Sequence, residues 1–94
     1  MMNIKKVKMY TQPNCSFCLS AEALCDTRNI QIEQKIDIAE SIRNKSNLLN
    51  DYEQVHGYGK KPRTVPQIWA SEGDSWEYVG GYQELFAILV PERF

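Results

Sequence analysis

The chain has 94 residues, 43% apolar and 24% charged, which fits one small domain with its own core and argues against disorder. Its net charge is −1 with Lys and Arg spread along it, which excludes the basic footprint of a nucleic-acid binder. Neither a signal-peptide core nor an apolar run long enough to span a bilayer is seen, so no membrane contact is expected.

Val7 and Met9 alternate with Lys6, Lys8 and Tyr10, the period-two pattern of a strand, which Pro13 and Asn14 punctuate. Phe17, Ala21, Leu24 and Arg28 then recur at helical spacing, with Cys18 and Cys25 alongside. Ile30, Ile32, Ile36 and Ile38 share one parity against Gln31, Glu33, Lys35 and Asp37, which predicts a second, half-buried strand. Strand–helix–strand at this length implies a parallel pair with a right-handed crossover. Ile42, Leu49, Tyr52 and Val55, with Leu48 beside them, mark a second helix that Gly57 and Gly59 stop.

Val65 to Ala70 is apolar and reads as a third strand, although it contains Pro66. Glu72-Gly73-Asp74-Ser75 is a turn, and Trp76, Tyr78 and Val79 form the hairpin partner. Gly80-Gly81 breaks that strand. Tyr82, Leu85, Phe86 and Leu89 outline a last helix, ended by Pro91. The order is βαβαββα: an α/β fold with a four-stranded mixed sheet flanked by three helices, in one domain over 1–94.

Three cysteines are few and odd in number for a secreted disulfide scaffold, and fit a reducing, cytoplasmic setting. A structural zinc site would need Cys15, Cys18, Cys25 and the single histidine, His56. On one helix, Cys18 and Cys25 stand ~10.5 Å apart along the axis, too far for a shared zinc or for a disulfide. No metal is therefore expected, and Cys25 reads as a small packed thiol. Cys15 and Cys18 differ, because they sit where a strand ends and a helix begins. Unpaired backbone N–H groups and the helix dipole favour a thiolate there, which is the reactive form. The i,i+3 spacing brings Cys18 back beside Cys15, close enough to bridge. The pair suits reversible chemistry, with Cys15 attacking and Cys18 resolving.

A proline inside an apolar strand removes a ladder donor and needs a reason. A cis Val65–Pro66 bond would supply one, leaving the Val65 N–H and C=O to pair with an extended peptide. On residue chemistry alone an ordinary trans proline stays open. Gly80-Gly81 before Tyr82-Gln83-Glu84 would let a ligand approach the backbone, with helix N–H groups for a carboxylate and Glu84 for an amine. A plain strand–helix turn, with Glu84 placed favourably near the dipole, is the other reading.

With these segments in order, the chain resembles the glutaredoxin family over nearly its whole length. Tyr10-Thr11-Gln12-Pro13-Asn14-Cys15-Ser16-Phe17-Cys18 looks like the Y-T-K-P-x-C-P-Y-C segment, giving a C-S-F-C dithiol motif. Thr64-Val65-Pro66-Gln67-Ile68 matches T-V-P-x-I/V, and Val79-Gly80-Gly81 with Leu85 matches I-G-G-x-x-D-L. The resemblance implies a thioredoxin-like fold and a monomeric thiol–disulfide oxidoreductase with glutathione as co-substrate. It makes Cys15 the nucleophile, Cys18 the resolving cysteine and Pro66 a cis proline. It places glutathione against Gln12, Phe17, Thr64, Val65, Pro66, Gly81, Tyr82, Gln83 and Glu84. Its partners would be disulfide-containing proteins, ribonucleotide reductase among them.

The chain departs from the family pattern in four places. Gln12 replaces a lysine near the thiolate and the glycine carboxylate, and Lys60, Lys61 or Arg63 are the cations available to compensate. Ser16 replaces proline and Phe17 tyrosine, which resembles the subset that bridges a [2Fe–2S] cluster between two subunits with glutathione. Glu84 is one methylene longer than the family's aspartate. A carrier fed by thioredoxin reductase and a non-enzymatic cluster-binding dimer are therefore the alternatives to a dithiol enzyme. The Tyr52–Lys61 segment has no assigned role.

Overall fold

In the computed structural model, which describes residues 3–39, 47–60 and 62–90, the chain runs in the expected order. The elements are β1 (Lys6–Thr11), α1 (Ser16–Thr27), β2 (Gln31–Asp37), α2 (Asn47–His56), β3 (Gln67–Ser71), β4 (Trp76–Gly80) and α3 (Tyr82–Leu89). The sheet order is β2-β1-β3-β4. β1 is parallel to β2 and antiparallel to β3, and β4 is antiparallel to β3. This is the mixed sheet with three helices read from the sequence. Ile42, Lys61 and Pro91 lie outside the described residues. Among the described residues no helix is long and apolar enough to cross a membrane.

Each face of the sheet carries its own core. Val7, Met9, Ile68 and Ala70 point to the face where Ala21 and Cys25 of α1 and Leu85 of α3 pack. Tyr10 and Trp69 point to the other, where they meet Tyr52 of α2. Fully burying one such large apolar side chain contributes roughly 1.5–3 kcal/mol. Tyr10 was expected on the polar side of β1 with Lys6 and Lys8, but it is fully buried. The aromatic face of α2 covers it, and Lys8 beside it pairs with Asp51 at 2.7 Å and lies 4.6 Å from the Trp76 ring centre.

The isoleucines of β2 do not share one face. Val7 pairs with Ile32 and Lys8 with Gln34, so Glu33 is an extra residue in the ladder. A bulge of one residue reverses the parity of everything beyond it. Ile32 thus packs in the α1 and α3 core, whereas Ile36 packs in the α2 core, together with Ile38 beyond the strand end. Two further boundaries move. The third strand starts at Gln67, so Pro66 precedes it and removes no ladder donor. The buried stripe of α1 is Cys18, Ala21 and Cys25, while Phe17 is exposed and Arg28 is the C-cap. α1 ends in a Schellman turn: Asn29 is left-handed at φ 57, and the Ile30 N–H reaches the Cys25 carbonyl at 2.9 Å.

Candidate active site

Asn14 takes a left-handed conformation at φ 60, which asparagine tolerates, and turns the end of β1 into α1. Cys15 follows as the N-cap. The Cys18 backbone N–H donates to its Sγ at 3.2 Å, and its carbonyl accepts the Leu19 N–H at 3.1 Å. The sulfur thus occupies the place of a Ser or Asp cap oxygen, against otherwise orphaned helix donors. Its thiol also points at the Val65 carbonyl, 3.8 Å away, so that carbonyl is not left free as expected.

All three cysteines are free thiols, and only Cys15 is partly exposed. Cys18 is pushed up to about 12, first by burial, then by its hydrogen bond with Cys15. Cys25 is pushed up to about 11 by burial, with Glu22 adding to it. Both therefore stay protonated near neutral pH while Cys15 is a free thiol. Substoichiometric alkylation near pH 7, mapped by mass spectrometry, is expected to label Cys15 before the other two. Equal labelling of all three would contradict this arrangement.

Beside Cys15 lies a cleft of about 510 Å³. Eight of the nine residues expected to hold glutathione line it: Phe17, Thr64, Val65, Pro66, Gly81, Tyr82, Gln83 and Glu84. The Val65–Pro66 bond is cis, as the family match implied. Phe17 and Tyr82 face each other with ring centres 6.2 Å apart, joining α1 to α3. Gln12 is the exception. It borders a separate depression with Cys15, Cys18 and the Glu22–Lys35 ion pair. Lys60 and Arg63 border a third depression, which shares only Thr64 with the cleft.

Glu84 is the third residue of α3, and its Oε1 accepts the Gly81 N–H at 2.6 Å. One carboxylate oxygen thus caps the helix, the plain structural role set beside ligand binding. Gly80 holds φ +120, where an L-residue is strained, and a Cβ there would come within 2.9 Å of Glu84 Oε1. This glycine is therefore required by the turn that brings Glu84 back over it.

Four cleft residues, Gln67, Tyr78, Val79 and Gly80, are not among those the sequence assigns to the site, and the first two bond to each other. The Tyr78 hydroxyl donates to Gln67 Oε1, and Gln67 Nε2 donates to the Thr64 carbonyl at 3.0 Å and to Thr64 Oγ1 at 2.9 Å. The available signal was strand parity, because a glutamine at the head of an apolar strand shares the face of Trp69 and, across the hairpin, of Tyr78.

The glutaredoxin family model matches residues 7–74. No curated protein sequence matches the chain significantly. Among solved structures, glutaredoxin 1 from Francisella tularensis, crystallised with cacodylate, is 30% identical with a TM-score of 0.57, covering 87% of this chain and 88% of that one. The solution structure of a glutaredoxin from Brucella melitensis is 21% identical with a TM-score of 0.55, covering 98% of this chain and 86% of that one, and shares the fold. With a family model matching most of its length and a half-exposed cysteine capping the first helix beside a cleft, the chain belongs to the glutaredoxin family of thiol–disulfide oxidoreductases.

Proposed function

We propose that the protein is a dithiol glutaredoxin that uses glutathione to reduce glutathione mixed disulfides and protein disulfides. The observation that carries this is the setting of Cys15. Its sulfur takes a backbone N–H from Cys18 and abuts Val65, whose segment walls a cleft of about 510 Å³. The cleft is large enough for a tripeptide and is edged by the Thr64-Val65-Pro66 segment on one side and the N-terminus of α3 on the other.

The Cys15 thiolate attacks the glutathionyl sulfur of a mixed disulfide. The Cys15–glutathione disulfide forms, and the partner leaves as a thiolate that takes a proton. A second glutathione, as thiolate, attacks that adduct, releasing oxidised glutathione and restoring Cys15. With a protein disulfide, Cys15 first bonds one protein sulfur and frees the other. Cys18 then loses its proton, attacks Cys15 and releases the second, leaving a Cys15–Cys18 disulfide. Two glutathiones reduce this and become oxidised glutathione.

The state of Cys18 suits the second role. After burial, its resistance to ionisation comes mainly from the hydrogen bond and then the charge of Cys15, with Glu22 adding to it. Both Cys15 effects vanish once Cys15 is tied up in a mixed disulfide, so Cys18 ionises more easily at the step that needs it. The resemblance names ribonucleotide reductase as one protein partner and a monomer as the working form, and the low, odd cysteine count fits a reducing cytoplasm.

The test is a coupled assay with glutathione, glutathione reductase, NADPH and the mixed disulfide of glutathione and 2-mercaptoethanol. NADPH consumption that requires both protein and glutathione is expected. Turnover with thioredoxin reductase but none with glutathione would overturn the reading.

A further inference from the structure

Tyr78 is held on two sides. Its ring meets Trp69 edge-on with centres 5.2 Å apart and His56 edge-on at 5.0 Å. His56 lies against Tyr52 at 4.2 Å, and Tyr10 closes the circuit from Tyr52 at 6.3 Å to Trp69 at 6.1 Å. This ring of five side chains spans α2, β1, β3 and β4 and fixes where the Tyr78 hydroxyl points. That hydroxyl is given to the buried Gln67 oxygen. With its oxygen taken, the Gln67 amide can face only one way, and its nitrogen makes both bonds to Thr64. Thr64 is the residue before Val65, whose carbonyl faces the Cys15 sulfur. Tyr78, Gln67, Thr64 and Val65 all line the same cleft.

We propose that Tyr78 is a positioning residue: through Gln67 and Thr64 it sets the wall of the cleft against which the glutathione moiety docks beside Cys15. The inference rests on the proposed glutathione reading and adds a residue that determines affinity. Burial, followed by the neighbouring Tyr52 and Glu84, raises the Tyr78 phenol above its ordinary value, so it remains a donor through neutral pH.

Tyr78→Phe keeps the ring and its contacts and removes only the donor. With the 2-mercaptoethanol mixed disulfide, KM is expected to rise about 3–10-fold, the range of one hydrogen bond, with kcat held within about twofold. Gln67→Leu should raise KM similarly, and adding Tyr78→Phe to it should change KM no further, because the two act in series. An unchanged KM in Tyr78→Phe, or full multiplication of the two effects in the double variant, would overturn the inference.

A second readout needs no turnover. By NMR, the Gln67 side-chain amide protons should exchange with solvent about threefold faster or more in Tyr78→Phe. Unchanged exchange would overturn the relay. A wild-type protein that turns over no glutathione mixed disulfide removes the proposed function instead, and the exchange rates then decide the relay alone.

Discussion

Cys15→Ser is expected to abolish reduction of glutathione mixed disulfides and of protein disulfides alike, by roughly a thousandfold or more. Among the three thiols only Cys15 is partly exposed, and it caps α1 with a backbone N–H on its sulfur. A serine hydroxyl would make the same cap but does not ionise near neutral pH. Folding should therefore survive while chemistry does not. Cys18→Ser is expected to split the two activities. Deglutathionylation persists, since free glutathione resolves the Cys15 adduct, whereas reduction of intramolecular protein disulfides is lost for want of an internal thiol. Two assays on the two variants check this. Loss of both activities in Cys18→Ser with one retained in Cys15→Ser would reverse the assignment.

Gly80→Ala is expected to be the more damaging of two glycine substitutions. At φ +120 the backbone is strained for alanine, and the new Cβ would stand 2.9 Å from Glu84 Oε1 and 3.0 Å from its Cγ. Glu84 must move, and the move breaks its bond to the Gly81 N–H at the start of α3. Backbone strain costs about 1–3 kcal/mol and a lost cap about 1 kcal/mol. For a domain of this size each kcal/mol lowers Tm by roughly 4–8 °C. Gly73 sits at φ +143 with nothing within 4 Å, so Gly73→Ala meets the strain alone. Thermal unfolding of both variants compares them directly. Equal losses would show that the Glu84 contact carries no weight.

The fold was legible where local periodicity and tertiary environment agree. Val7, Met9 and Leu85 fall on the expected faces because each lies in an uninterrupted period. The pattern misled where a long-range feature intervened. The extra residue at Glu33 exists only in the pairing of β2 with β1, and no residue type announces it, so Ile32 and Ile36 were placed on one face. The alternation puts Tyr10 beside two lysines, and the packing of Tyr52 and Trp69 around it buries it. The site was legible through short segments, the cysteine pair, Thr64-Val65-Pro66 and the Gly80-Gly81 turn, because each carries its chemistry within a few consecutive residues. Gln67 and Tyr78 were not, since their bond joins two strands through side chains and appears only once the hairpin register is known. Gln12, placed in the site by the family resemblance, borders a separate depression with Cys15 and does not line the cleft.

The central claim is that Cys15 takes glutathione as a disulfide beside this cleft. Treating the Cys18→Ser variant with oxidised glutathione and mapping the adduct by intact mass and peptide fragmentation tests it most directly. One glutathionyl group on the peptide carrying Cys15, removed by excess glutathione, is the expected result. An adduct on Cys25, or none under conditions where free cysteine reacts, would contradict it.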